Sequence, residues 1–370
     1  MTSVREDWPV LVALFPPHWQ DIGRYTGAVT RLRGFDSVEN VLRTVLLHVG
    51  RGWSLRETAV QAKLAGIADV SDVTLLNRLR QSESWLRLLC ERLFQENGVS
   101  LQPALQGQPV RILDATTVKA PGKTGSQWRL HYSLRLPTLE CDYFEVTAAR
   151  GSNAGEKLGR FSLHAGELIL ADAGYSHPPG IAAVVKQGAN VCVRLNPASV
   201  PLLDEHGHAF ALLHRLKALK RPGQVADWPV QVVCGTQLIV GRLCAVRKSN
   251  TAIERAQYKL KRKQQQHKNS GTVATRTYAR YVLVFTTLSR EVASSRTVLE
   301  CYRLRWQIEL TFKRLKSIVQ LGHLPKQNDQ SSRAWLYGKL FVALLTQKLM
   351  RLGSTISPWG YHLPEQAARS

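Results

Sequence analysis

Apolar positions along the chain follow two periods. Up to about residue 105 they recur every three to four residues, as in "VENVLRTVLLHV" (38–49) and "SWLRLLCERLF" (84–94), which predicts amphipathic helices. Between these runs, residues 52–82 have the rhythm of short helices joined by tight turns, with Ser54 and Ser71 placed as N-caps. From about residue 108 the period shortens. "PVRILD", "WRLHYSLRL", "DYFEVTAA" and "ELILA" are β-rich runs separated by Gly, Pro and polar turns, and the second and third form a hairpin across "PTLEC". A helix is expected at "PPGIAAVVKQG" and a further strand at "NVCVRL". Residues 197–285 then form a β-rich block, with "WPVQVVCG" and "QLIVGRLCAVRK" alternating around "GT" and "RYVLVFTT" closing it. Helices are expected at about 294–320 and 332–352. The order predicts a helical N-terminal region followed by a mixed α/β core that is interrupted by an insertion.

Charge narrows the partners. Fifty Lys and Arg face twenty-seven Asp and Glu, a net charge of +23, and the pI is about 10.2. Such an excess attracts polyanions, nucleic acid first among them. An anionic membrane surface is the competing partner, but no run approaches the ~18 apolar residues of a span, and "MTSVREDWPV" lacks a signal-peptide pattern. The six cysteines are scattered without a CxxC pair, which points to reduced thiols in a cytoplasmic protein. Within 52–82, Asn77, Arg78, Arg80 and Gln81 would suit a helix that reads a DNA groove, and equally the solvated face of a small bundle. The basic run at 255–268 would suit a helix tracking phosphates, or a solvated linker helix. His131, His164 and His177 are not spaced as metal ligands and read as structural or surface residues.

Three carboxylates stand out. Asp114 ends the apolar run "VRILD" and Asp172 ends "ELILAD", so each sits where a buried strand surfaces. Open α/β sheets bind ligands just outside such strand ends, although an Asp standing alone there more commonly starts a turn or caps a helix. The third is Glu309, in "CYRLRWQIELTFKRLK" among Arg303, Arg305, Lys313, Arg314 and Lys316. On a helical wheel of about 100° per residue, Tyr302, Arg305, Glu309 and Lys316 share one arc, flanked by Trp306 and Lys313. Leu304, Ile308, Phe312, Leu315 and Val319 form the opposite stripe. An isolated Arg305–Glu309 pair would be only a weak surface contact.

The four aligned residues, spaced Tyr, two, Arg, three, Glu, six, Lys, resemble the YREK signature of transposases of the insertion-sequence-four family. "DATTVKAPG" and "LADAGY" resemble the two aspartate motifs of that family, and "WRLHYSL" between them has its look. The resemblance spans about 108–320. It implies an α/β fold: a ribonuclease H-like mixed sheet with flanking helices, interrupted by a β-rich insertion and preceded by an all-α region. The expected division is 1–107 for DNA-end binding, 108–196 and 286–352 for the catalytic core, 197–285 for the insertion, and 353–370 for a tail. It implies a DDE transposase in which Asp114, Asp172 and Glu309 hold divalent metal, while Tyr302, Arg305 and Lys316 bind the transposon end.

Displacement at phosphorus suits two metal ions, and carboxylate ligands suit Mg²⁺, with Mn²⁺ as substitute. The implied partners are double-stranded DNA, as terminal inverted repeats and target, and a second copy in a synaptic homodimer, with no membrane. The implied route is cut-and-paste through a hairpin, in a bacterial cytoplasm at the nucleoid. One departure is Ala173, where the family usually carries arginine after the second aspartate. The aromatic residue that accommodates a flipped base has two candidates, Trp228 and Trp306. A nuclease without strand transfer and a catalytically silent DNA-binding relative remain as alternatives.

Overall fold

The computed structural model describes residues 8–96, 107–119, 127–151, 153–267, 272–322, 324–325 and 328–356. The end of "DATTVKAPG" and residues 357–370 of the expected tail lie outside them.

The N-terminal region is helical: α1 (Trp8–Val12), α2 (Trp19–Tyr25), α3 (Val38–Arg51), α4 (Leu55–Leu64), α5 (Asp72–Gln81) and α6 (Glu83–Glu96). Both predicted caps are made. Ser54 Oγ accepts from Glu57 N at 3.1 Å and Ser71 Oγ from Thr74 N at 3.2 Å, each satisfying an amide that the helix leaves orphaned. Arg78 of α5 does not face a groove. It is buried and donates to the carbonyls of Ala28 at 3.4 Å, Leu32 at 3.2 Å and Arg31, so it ties the chain before α3 to α5.

The period-2 runs become β1 (Val110–Lys119), β2 (Gln127–Leu136), β3 (Cys141–Ala148), β4 (Leu168–Ala171) and, after α7 (Pro178–Lys186), β5 (Asn190–Arg194). The later block contributes β6 (Leu202–Leu203), α8 (Leu212–Leu216), β7 (Val225–Cys234), β8 (Gln237–Arg247), α9 (Asn250–His267), α10 (Val273–Tyr278) and β9 (Tyr281–Thr286). Gly235, at φ 60°, takes the left-handed turn between β7 and β8 that glycine adopts without strain. All of these strands join one nine-stranded sheet in the order β3-β2-β1-β4-β5-β9-β8-β7-β6. The strands of 197–285 therefore extend the edge of the core sheet. Strands β1, β4 and β5 are parallel, and the other pairings are antiparallel.

Side-chain alternation gives the sheet two buried faces. On one, Ile112, Leu170 and Cys192 meet the helical layer. On the other, Leu113, Ile169 and Val193 meet α7 and α8 residues such as Ile181 and Leu216. The chain closes with α11 (Ser295–Arg303), α12 (Trp306–Ser317) and α13 (Asp329–Ile356). Helix α13 packs among α3, α5 and α6. Trp335 stands edge-on to His48, Phe341 against Phe15, and Arg333 Nε donates to Glu83 at 2.7 Å. The first and last parts of the chain thus build one helical layer.

A single helix was expected over 294–320, and the structure breaks it at Leu304–Arg305. Amides of Leu304, Arg305, Gln307 and Ile308 bond three residues back instead of four, at 2.9–3.2 Å. This tightened turn sends Tyr302, on α11, into the core at 8% exposure and leaves Leu304 40% exposed. Ile308, Phe312 and Leu315 keep their buried stripe.

Candidate active site

The sheet register aligns the two aspartates. The last parallel pair of β1 and β4 is Leu113 opposite Ala171, and one residue further along come Asp114 and Asp172. Because Ile112 and Leu170 face the helical layer, alternation points both aspartates to that face, where the parallel pairing of β1 with β4 ends; Asp172 follows the last residue of β4, whereas Asp114 lies in the middle of β1, which runs on to Lys119 against β2. Asp114 is nearly buried, with Oδ1 accepting from Ala115 N at 2.8 Å. Asp172 Oδ1 accepts from Gly174 N at 2.7 Å, which fixes the turn after β4. Ala173 sits half-buried inside that turn, where Tyr175 N donates to Asp172 O at 3.2 Å.

Helix α12 brings the third carboxylate over this row. Arg305, at its N-terminus, reaches both sides: Nη1 donates to Asp114 Oδ2 at 3.3 Å, and Nη2 donates to Glu309 Oε1. Glu309 is more than half exposed. Near the other end of α12, Lys316 Nζ donates to Thr116 Oγ1 at 2.6 Å, two residues beyond Asp114 on the same face of β1. An open cleft between β1 and α12 is lined by Asp114, Glu309, Phe312, Lys313 and Lys316. Five of the six site residues named from sequence therefore converge with little intervening protein. The sixth, Tyr302, lies beneath, its ring 6.0 Å from the Arg305 guanidinium. Of the two tryptophans, Trp306 is half exposed at the start of α12, whereas Trp228 is partly buried against Phe210.

Sequence reasoning missed Glu156. It lies in the segment leading from β3 to β4, half-buried, with Oε1 accepting from Arg129 Nη1 at 3.2 Å. Its carboxylate lies in the space that a Cβ at Gly174 would take, so a side chain there would push Glu156 aside. Nothing in "SNAGEK" marks that glutamate, because its closeness to Asp172 arises only when the sheet forms. The histidines are structural as expected. His131 is buried with Nε2 3.0 Å from Thr147 Oγ1, and His177 Nδ1 caps α7 by accepting from Gly180 N at 3.1 Å.

Electrostatically the site is crowded with negative charge. Burial, and next the charge of Asp172, push the Asp114 carboxyl up to about 7, against the opposing pull of the Ala115 amide and Arg305. Glu156 is also raised, by burial and then by Asp172. Such carboxylates lack positive charge, and their hard oxygen donors are those a divalent cation takes, so the residues fit such an ion. Among the described residues, no three His, Cys, Asp or Glu side chains stand close enough to hold a metal as they are. Arg305 takes the place between Asp114 and Glu309. No helix among the described residues is long and apolar enough to cross a membrane.

The transposase DDE domain matches residues 105–345. The transposase for insertion sequence element IS421 of Escherichia coli is 30% identical over 363 residues, covering 95% of this chain and 96% of the relative. The transposase for insertion sequence element IS231F of Bacillus thuringiensis subsp. israelensis is 22% identical over 296 residues, covering 71% and 61%.

Proposed function

This chain belongs to the DDE transposases of the insertion-sequence-four family, enzymes that cleave and join DNA with divalent metal, and from that premise we propose that Asp114, Asp172 and Glu309 are its metal ligands. The observation that carries the assignment is the register that sets Asp114 beside Asp172, with Glu309 reaching the same cleft from α12. The ions would be two Mg²⁺, replaceable by Mn²⁺. When bound they activate the attacking oxygen and stabilise the leaving one.

The chain's own cations do the rest. Arg305, now bridging Asp114 and Glu309, is placed to release them and grip a phosphate in its two-pronged fashion. Lys316, held at Thr116, meets the backbone on the other side of Asp114. Tyr302, largely buried, orients Arg305 and offers DNA only its edge. The substrate is double-stranded DNA bearing the element's inverted ends, and the product is joined to target DNA. The route is cut-and-paste through a hairpin in a synaptic homodimer. The 1–107 helices bind the ends, 197–285 is the insertion, and the setting is the bacterial cytoplasm at the nucleoid.

A second reading has its own observation. Glu309 is paired with Arg305 and is the more exposed partner, as a plain charge partner would be. Mg²⁺-dependent cutting of linear DNA with the element's own ends separates the two. A Glu309→Gln protein that binds these ends and does not cut them supports the ligand role. One that cuts as well as wild type leaves Glu309 a charge partner only.

A further inference from the structure

The register that pairs Asp114 with Asp172 continues one strand further. The last parallel pair of β4 and β5 is Ala171 opposite Val193, so the next row places Arg194 beside Asp172. Cys192, two residues earlier, faces the helical layer, and alternation sends Arg194 to the same face as both aspartates. On its other side Arg194 pairs with Val284 of β9, another residue of that face. Just past the last parallel pairs, the three strands therefore carry a row of acid, acid and arginine.

Arg194 is exposed, although Val191, Cys192, Val193 and Leu195 around it are buried. Among the described residues its side chain forms no hydrogen bond or ion pair, while its backbone belongs to the sheet. Its charge bears on the Tyr302 hydroxyl, as does that of Asp172, so it stands at the floor of the same site and not on a remote surface. A guanidinium held at a strand end and left without a carboxylate is an anion site in waiting, and the anion this family handles is a phosphodiester.

We propose that Arg194 grips a DNA phosphate beside the one that is cut, reached across the strands from Asp114, whereas Lys316 is reached along β1. The spacing supports the role. Thr116, which holds Lys316, lies two residues beyond Asp114 on β1, and Arg194 lies two strands from Asp114, roughly 10 Å away. A backbone reaching the carboxylates then has one cation along β1, Lys316, and another across the strands, Arg194. The proposal rests on the carboxylate assignment for which phosphate is meant, but its test is a binding measurement.

The experiment titrates full-length protein with a labelled duplex carrying one end of its own element and flank, in Ca²⁺ so that cutting does not intrude. Each phosphate near the cut is replaced in turn by a neutral methylphosphonate. Arg194→Ala is expected to bind roughly tenfold more weakly, with a salt slope shallower by about one. It is also expected to be indifferent to one methylphosphonate that weakens wild type, while Arg194→Lys keeps the wild-type pattern. Arg194→Ala binding with wild-type affinity and slope, or remaining sensitive at every linkage that matters to wild type, overturns the proposal. Glu309→Gln is run alongside for cutting in Mg²⁺. If it cuts normally, the carboxylate reading falls while the Arg194 result stands on the binding data alone.

Discussion

The sheet carries two clusters of buried charge along β1, one at its start and one at its middle, and the two are built on opposite plans. At the amino end, Arg111 and Arg135 meet Asp142 and Glu167: Arg111 reaches Asp142 at 3.0 Å and Glu167 at 3.1 Å, and Arg135 reaches Asp142 at 2.7 Å. Ser133 and the Ser162 carbonyl take remaining protons of Arg111. Two cations and two anions are sealed together. Three residues along the strand, Asp114 is buried beside Asp172 and within the field of Glu156, and the cation nearest to it, Arg305, is shared with Glu309. The first cluster is balanced within itself. The second has anionic crowding in its floor and cations on its rim, an arrangement that is completed by something from outside. Burial alone therefore does not mark a site; burial without internal balance does.

The comparison can be broken by mutation, and the largest effect belongs to the balanced end. Arg111→Ala takes from the buried Glu167 its close cation and leaves Arg135 alone to face two carboxylates, and it is expected to cost about 3–5 kcal/mol, read as a lower urea midpoint at unchanged slope. Asp114→Asn should act in the opposite sense. Its carboxyl is raised in the folded protein to about 7 from an ordinary value of 3.8, so folding takes up a proton between those values. Its contribution to stability is full below about 4, declines as pH rises through about 7, and is level above. The metal-free Asn variant is thus expected to melt higher than wild type at pH 8, by an amount on the order of a few kcal/mol at most, and to match it near pH 3.5. It should also lose cutting. A lower melting temperature at pH 8 would mean that Asp114 is balanced after all. The smallest effect on folding is expected at the rim. Lys316→Ala should change stability by less than about 0.5 kcal/mol, while DNA affinity falls and its salt slope drops by about one.

Much of this was legible in the sequence because it is local. Periods of 2 and 3.6, the Ser54 and Ser71 caps, the "GT" turn and the spacing from Tyr302 to Lys316 are all properties of short windows. The placement of Asp172 at a strand end followed from the apolar run before it, but Asp114, expected at a strand end too, lies mid-strand because β1 goes on past it to Lys119 in its pairing with β2. What escaped was set by distant partners. Arg78 looked like a groove reader because its charge is visible, whereas the carbonyls of Ala28, Arg31 and Leu32 that absorb it are not. The break at Leu304 cannot be read from helical periodicity, since the pattern runs through it. Glu156 and Arg194 join the site only through strand order, with β5 placed beside β4 and the approach to β4 folded over Gly174.

The helical layer shared by α6 and α13 also sets a timetable. Helices α3, α5 and α6 leave the ribosome early, but α13, which packs on all three and sets Trp335 against His48, follows every strand. At ~5–20 residues per second, every strand must be synthesised in between, a wait of roughly tens of seconds during which those faces have no native cover. An interrupted chain that stops short of α13 is therefore a sticky fragment, whatever strands it has completed. The N-terminal helices and the carboxylate cleft mature together, at the close of synthesis, and a chaperone holding the early helices would have to stay until the last turn of α13 arrives.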